Sequence, residues 1–243
     1  MSEPVGLYRD HAVVLRTYKL GEADRIVVLM TEHHGAVRAV AKGVRRTKSR
    51  FGARMEPPTH VAVQLYRGRS DLDTVAQVET VDAFRAVRGD LLALGRALTM
   101  VEAVDQVARD RPTDPQLYRM LVGALRTLET SDSPLVTAGF LWKLLALEGV
   151  APVLDRCAVC GATERLVAFD PVEGGVVCRD DRRGQPLSPG ALDLLRDVLG
   201  GRLGAALAAP ETPATGEVDR LAVRATEHHL ERRLRSVGVL DGT

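Results

Sequence analysis

Five short runs rich in β-branched and aliphatic residues fill the first eighty positions: HAVVLRTYK (11–19), DRIVVLMT (24–31), AVRAVAKGV (36–44), HVAVQLY (60–66) and LDTVAQVET (72–80). Several alternate apolar with polar, the period of a strand with one face in a core and one in water. Gly21, the His33-His34-Gly35 triplet, Pro57-Pro58 and Gly68 fall between them as turn signals. Five short strands in roughly eighty residues suit a small closed or partly closed barrel. The five-stranded OB-type barrel is the commonest nucleic-acid-binding version of that solution.

After Asp82 the period changes to that of helices. Leu91, Leu94, Leu98, Val101, Val104 and Val107 form one stripe at spacings of three and four. Three further helices are announced by an N-cap followed by proline: Asp114-Pro115, Ser133-Pro134 and Ser188-Pro189. GAALAAPETPATGE (204–217) reads as a flexible link, and the stretch from Val218 to Leu240 as a closing amphipathic helix. The fold class is α+β, an N-terminal five-stranded OB-type barrel followed by an α-helical domain with an inserted zinc-knuckle segment. The expected divisions are 1–81 for the barrel, 82–154 for the helical domain, 155–184 for the insert, and 185–243 for helices that complete the helical domain.

No apolar run reaches membrane-spanning length, and the N-terminus has neither a basic nor an apolar leader region. A cytoplasmic protein without a membrane is expected. The three cysteines cluster in one segment, unlike the dispersed framework of a secreted disulfide scaffold, which points to a reducing compartment.

That segment reads DRCAVCGATERLVAFDPVEGGVVCRDDRRG. Cys157-x-x-Cys160 supplies two thiolates from one tight turn, with Gly161 where such a turn needs positive φ. A hairpin marked by Asp170-Pro171 and Gly174-Gly175 returns to Cys178, and the spacing of a second knuckle then falls on Asp181. A structural zinc held by Cys157, Cys160, Cys178 and Asp181 is the leading reading. Closure by His228 or His229, a redox dithiol and simple packing are the rivals; no βαβ pattern supports the dithiol.

The net charge is only +1, yet residues 36–70 hold nine basic residues (Arg38, Lys42, Arg45, Arg46, Lys48, Arg50, Arg54, Arg67, Arg69) against Glu56 alone, so this segment carries +8 and the remainder −7. Such a face meets a polyanion. Its lysines and arginines suit phosphates, with Phe51 and Tyr66 placed to stack on bases. The run G-x-x-x-x-K-S (43–49) lacks the second glycine of a phosphate-binding loop, which excludes nucleotide hydrolysis by that route. TEHH occurs at 31–34 and 226–229 without metalloprotease spacing and is read as coincidence. Trp142 lies in an apolar stripe and is expected in the core. No nucleophile elbow, dinucleotide fingerprint or carboxylate cluster stands out, so no enzyme activity is expected.

Residues 12–79, with GEADRIV, the Thr31 to Gly35 turn and AKGVRRTKS, resemble the N-terminal barrel of the bacterial DNA repair protein family RecO, and FLWKLLALEGVAPVLDRCAVCG is similar to that family's helix running into its zinc-binding insert. The resemblance spans nearly the whole chain in order. It implies a recombination mediator that binds single- and double-stranded DNA, anneals complementary strands, contacts the single-strand-binding protein SSB, and works with RecR to help load RecA. It carries DNA contact onto Arg38, Lys42, Arg45, Arg46, Lys48, Arg50 and Arg67, and a structural zinc onto the cysteine insert, where Asp181 stands in the place of the usual fourth cysteine. A zinc-stabilised protein-interaction adaptor with weak DNA binding is the alternative function, and a thiol redox protein the third.

Overall fold

The computed structural model describes residues 6–45, 49, 51–109 and 111–236. Its contacts divide the chain into two compact units, Met1–Glu129 and Thr130–Thr243.

The first unit is built on β1 (Gly6–Leu20), β2 (Asp24–Thr31), β3 (Ala36–Ala41), β4 (His60–Arg67) and β5 (Asp73–Asp82). They close into a barrel in the order β1-β2-β3-β5-β4, with β3 and β5 parallel and every other pair antiparallel. All five expected strands form. β1 begins earlier than its alternating segment because residues 6–13 pair with β4, and a bulge between Val14 and Arg16 marks its course along β2. Inward-facing Ala12, Val14, Val27, Leu29, Ala39, Val61, Leu65 and Val75 fill the barrel, joined by Phe51 and Met55 from the short 3₁₀ turn Gly52–Met55 and the residue before it. Phe51 is 7 % exposed. It is a core residue and not the base-stacking ring expected of it, because the turn folds its side chain into the barrel.

Three helices follow in the same unit: α1 (Arg85–Gly89), α2 (Leu91–Val107) and α3 (Pro115–Leu128). The Asp114 carboxylate accepts from Gln116 N (2.8 Å) and Leu117 N (3.2 Å) with Pro115 at the first helical position. In α2 the buried face runs through Gly95, Ala97, Met100, Val101 and Val104. Leu91 is instead exposed, so the apolar stripe is used only in its C-terminal part, where small residues let the helix approach β1 and β2.

The second unit holds α4 (Leu135–Leu147), β6 (Leu166–Asp170), β7 (Gly175–Cys178), β8 (Gln185–Pro186), α5 (Pro189–Leu199), α6 (Leu203–Ala208) and α7 (Pro213–His229). α4 is buried from Leu135 to Leu145 except at Lys143, with α5, α6 and α7 packed on it. It starts one residue later than Ser133-Pro134 suggests: the Ser133 hydroxyl accepts from Leu135 N (3.3 Å), and Pro134 is the cap. It ends in paired bonds from Val150 N to Leu145 O (2.9 Å) and Gly149 N to Ala146 O (3.1 Å), with Gly149 at φ +82°, the left-handed C-terminal stop that favours glycine. Trp142 is buried against the edge of Phe169. The expected link at 204–217 is largely helical. Thr212-Pro213 is a fourth cap-and-proline start, with Thr212 N donating to the Thr215 hydroxyl (3.0 Å) and Thr215 and Val218 buried behind it. α7 accordingly begins before Val218 and closes at His229 instead of Leu240. Among the described residues no helix is long and apolar enough to cross a membrane.

Candidate metal centre and nucleic-acid face

The cysteine insert is a knuckle set against a hairpin. Cys157 N donates to Ala162 O (2.7 Å) and Gly161 N to Cys157 O (2.9 Å), a tight loop that needs Gly161 at φ +80°. Ala158 N donates to Val176 O (2.8 Å), which fastens the knuckle to β7. Cys178 ends β7, and its backbone N–H donates to Cys157 Sγ (3.3 Å). Cys157, Cys178, Ala168 and Val177 form a small buried cluster of their own.

The four expected ligands come together. Cys157 Sγ, Cys160 Sγ, Cys178 Sγ and a carboxylate oxygen of Asp181 lie within 4.8 Å of one another. A tetrahedral ion with bonds of about 2.3 Å to sulfur and about 2.1 Å to oxygen requires S···S edges of about 3.8 Å and S···O edges of about 3.6 Å. The cluster has Cys160 to Cys178 at 3.7 Å, and both Cys157 and Cys178 at 3.4 Å from Asp181 Oδ2. The residues fit a metal ion in number, donor type and spacing. His228 and His229 are not among the four; they line a separate hollow of this unit with Trp142, Phe169 and Val172.

The electrostatics make the same point. The Asp181 carboxylate beside Cys160 pushes that thiol up to about 12, while the three thiols, Cys160 first, hold Asp181 below the usual carboxylate range. For Cys157 burial raises the thiol, and backbone N–H groups of Cys160, Cys178 and Val159 outweigh it and lower it. Without a cation, protons must bridge acceptors that crowd one point.

In the first unit the basic candidates divide. Arg38 stands on the outer side of β3 and Lys42 just past its end, both exposed and with no ion pair among the described residues. Arg45 is exposed but folds back, donating to Gly21 O (3.4 Å) and Glu22 O (3.0 Å) in the β1–β2 turn. Arg67 lies over the Tyr8 ring at 4.7 Å and 3.8 Å from Asp73, so it is held in the barrel wall. Arg46, Lys48 and Arg50 lie outside the described residues. Tyr66 is exposed.

Sequence reasoning missed a second polar cluster. Asp10 faces inward, and its side chain takes four donors: His11 N (2.8 Å), His33 N (3.0 Å), His33 Nδ1 (3.0 Å) and His34 Nδ1 (2.6 Å). An acid at an inward position of an alternating strand was the available signal, since buried carboxylates are partnered. Asp10, Glu32 and His33 are close enough together for a metal ion, but the four donors saturate the Asp10 oxygens. The first TEHH is therefore a turn anchor.

Residues 1–84 match the family model described as the N-terminal domain of recombination protein O, and residues 88–237 match the one described as its C-terminal domain. The chain belongs to the recombination protein O family. This RecO membership agrees with the barrel's strand order and the cysteine insert, and it assigns the chain to DNA repair and recombination as a mediator.

Proposed function

We propose that the chain binds single- and double-stranded DNA through the basic surface at β3 and the segment after it, and anneals complementary strands. Two strands repel through their phosphates; basic side chains that line both release counterions and lower that barrier without reading sequence. The observation that carries this is the pair Arg38 and Lys42, exposed and without an ion pair among the described residues, within a segment (36–70) whose net charge is +8 in a chain of net charge +1. Arg45 and Arg67 extend the same surface in this reading, with Arg67 acting from its seat on Tyr8, and Arg46, Lys48 and Arg50 are assigned to DNA contact by their charge in the sequence.

The cysteine cluster holds a structural zinc in this proposal, because three sulfurs and one oxygen at tetrahedral spacing suit a borderline-soft ion better than a hard one. When bound, zinc would supply a fixed cross-link between the knuckle and the hairpin. Cys157 and Cys178 orient the site from the buried side, and Asp181 closes it from the surface. The chain performs no bond chemistry of its own, resides in the cytoplasm, and helps load RecA on SSB-coated DNA together with RecR.

The test is annealing of complementary oligonucleotides with and without SSB. Acceleration of both reactions is expected. DNA binding without any acceleration would leave the adaptor reading in its place.

A further inference from the structure

The outer face of β1–β2–β3 departs from the polar exterior of a solvated barrel. Two cross-strand rows run over it: Tyr18, Ile26 and Val40, then Arg16, Val28 and Arg38. Ile26 and Val28, with Leu15 and Ala36, floor a groove of about 490 Å³ whose walls are Tyr18, Arg38, Asp105 and Arg109. Tyr18 is 42 % exposed. Asp105, buried on α2, accepts from Arg16 (3.0 Å) and from Arg109 (3.0 Å), and Arg16 also donates to the Tyr18 hydroxyl (3.0 Å) while lying 5.4 Å from its ring centre. One buried carboxylate thus pins two guanidinium groups, which fixes the tyrosine, while Arg38 stands exposed across the floor. The three arginines exceed Asp105 by two positive charges.

An apolar floor, a held aromatic ring and cationic rims are what one nucleotide of an unpaired strand requires: a π-face for the base and charges for the phosphates beside it. A duplex keeps its bases stacked and paired, and cannot lay one on this ring. We propose that the groove takes an unstacked base of single-stranded DNA on Tyr18, with flanking phosphates at Arg38 and Arg109, and that it gives the chain a preference for single strands over duplex. This rests on the DNA-binding reading above and adds to it the residue that tells the two substrates apart.

The probes are labelled oligothymidylate and a duplex of equal length, titrated by fluorescence anisotropy against the full chain. Tyr18→Ala is expected to weaken oligothymidylate binding by about 5- to 150-fold, the stacking of one base, and to leave duplex binding within about twofold. Tyr18→Phe, which keeps the ring and loses the hydroxyl, should retain single-strand affinity. An oligonucleotide bearing 5-iodouracil should crosslink under ultraviolet light to the peptide containing Tyr18. The urea midpoint of each variant shows that the barrel is intact. Equal loss on both DNAs, or no loss on either, overturns the inference while leaving DNA binding standing. So does an acidic peptide whose binding is lost in Tyr18→Ala while oligothymidylate binding is unchanged. Wild-type protein that binds neither DNA defeats the underlying function.

Discussion

Asp10 Oδ2 lies 2.6 Å from His34 Nδ1, and the same carboxylate holds the neighbouring imidazole of His33 with its other oxygen at 3.0 Å. One buried acid on β1 therefore sets the turn between β2 and β3, from which β3 carries Arg38 to the surface. Asp10→Asn replaces an acceptor with a donor facing donors, and should cost about 1–3 kcal/mol in urea unfolding, the penalty of leaving buried groups unpaired.

Asp10 and His33 give stability a pH window. Burial raises the Asp10 carboxyl, but hydrogen bonds from His34, His33 and the backbone outweigh it and lower it from 3.8, so its contribution is complete above that value and fades as pH falls through the lower folded one. Asp10 raises His33 from 6.5, so that contribution is complete below 6.5 and fades as pH rises through the higher folded value. The two overlap between 3.8 and 6.5. Urea midpoints of wild type and His33→Gln should differ most at mildly acid pH and converge toward alkaline pH. A difference that grows with alkalinity would contradict the assignment.

Arg88, half-buried, is a second organiser of the barrel unit. Its guanidinium donates to Ala83 O (2.9 Å), Glu56 O (2.9 Å), Pro58 O (2.7 Å) and the Thr59 hydroxyl (2.7 Å), gathering the end of the β3–β4 connection onto α1. Arg88→Met keeps most of the stem and strips these acceptors of their donor. A loss of about 2–4 kcal/mol in the urea unfolding of the barrel unit is expected.

Exposure makes Arg38 and Lys42 the cleanest test of the electrostatic surface. Replacing both with alanine removes two charges without breaking an ion pair among the described residues. If each meets one phosphate, the slope of log affinity against log salt on single strands should become shallower by about 1.4, equally for every sequence, with the urea midpoint unchanged. A slope identical to wild type would remove these two residues from the DNA face.

Much of this architecture is written locally. The alternation in β1 to β5 and the proline-marked caps at Asp114 and Ser188 need only neighbours a few residues apart, and they appear where the pattern puts them. Thr212-Pro213 carries the same cap signal, but Pro210, Thr215 and Gly216 around it have weak helix propensity, and burial of residues such as Thr215 and Val218 supports the helix. The cysteine cluster was legible because ligand spacing is itself a local rule. Phe51 misled because nothing in a basic run reveals that its turn folds inward. Asp10 with His34, and Tyr18 with Arg109, join residues far apart in sequence, and no periodicity encodes such a meeting.

Asp181 is where the metal centre is most open to experiment. It is the one oxygen donor among three sulfurs, placed three residues after Cys178 and 3.4 Å from that thiol. A carboxylate binds zinc less strongly than a thiolate, so the wild-type site should release metal to a chelator faster than a four-thiolate site. Asp181→Ala should lower the zinc content of purified protein and its thermal stability together. Asp181→Cys should slow release, measured with a chromogenic zinc indicator. Because the ligands must lose protons to bind, wild-type metal retention should also fall as pH is lowered, and less steeply in Asp181→Ala. Zinc content unaltered by Asp181→Ala would instead assign the fourth position to another donor.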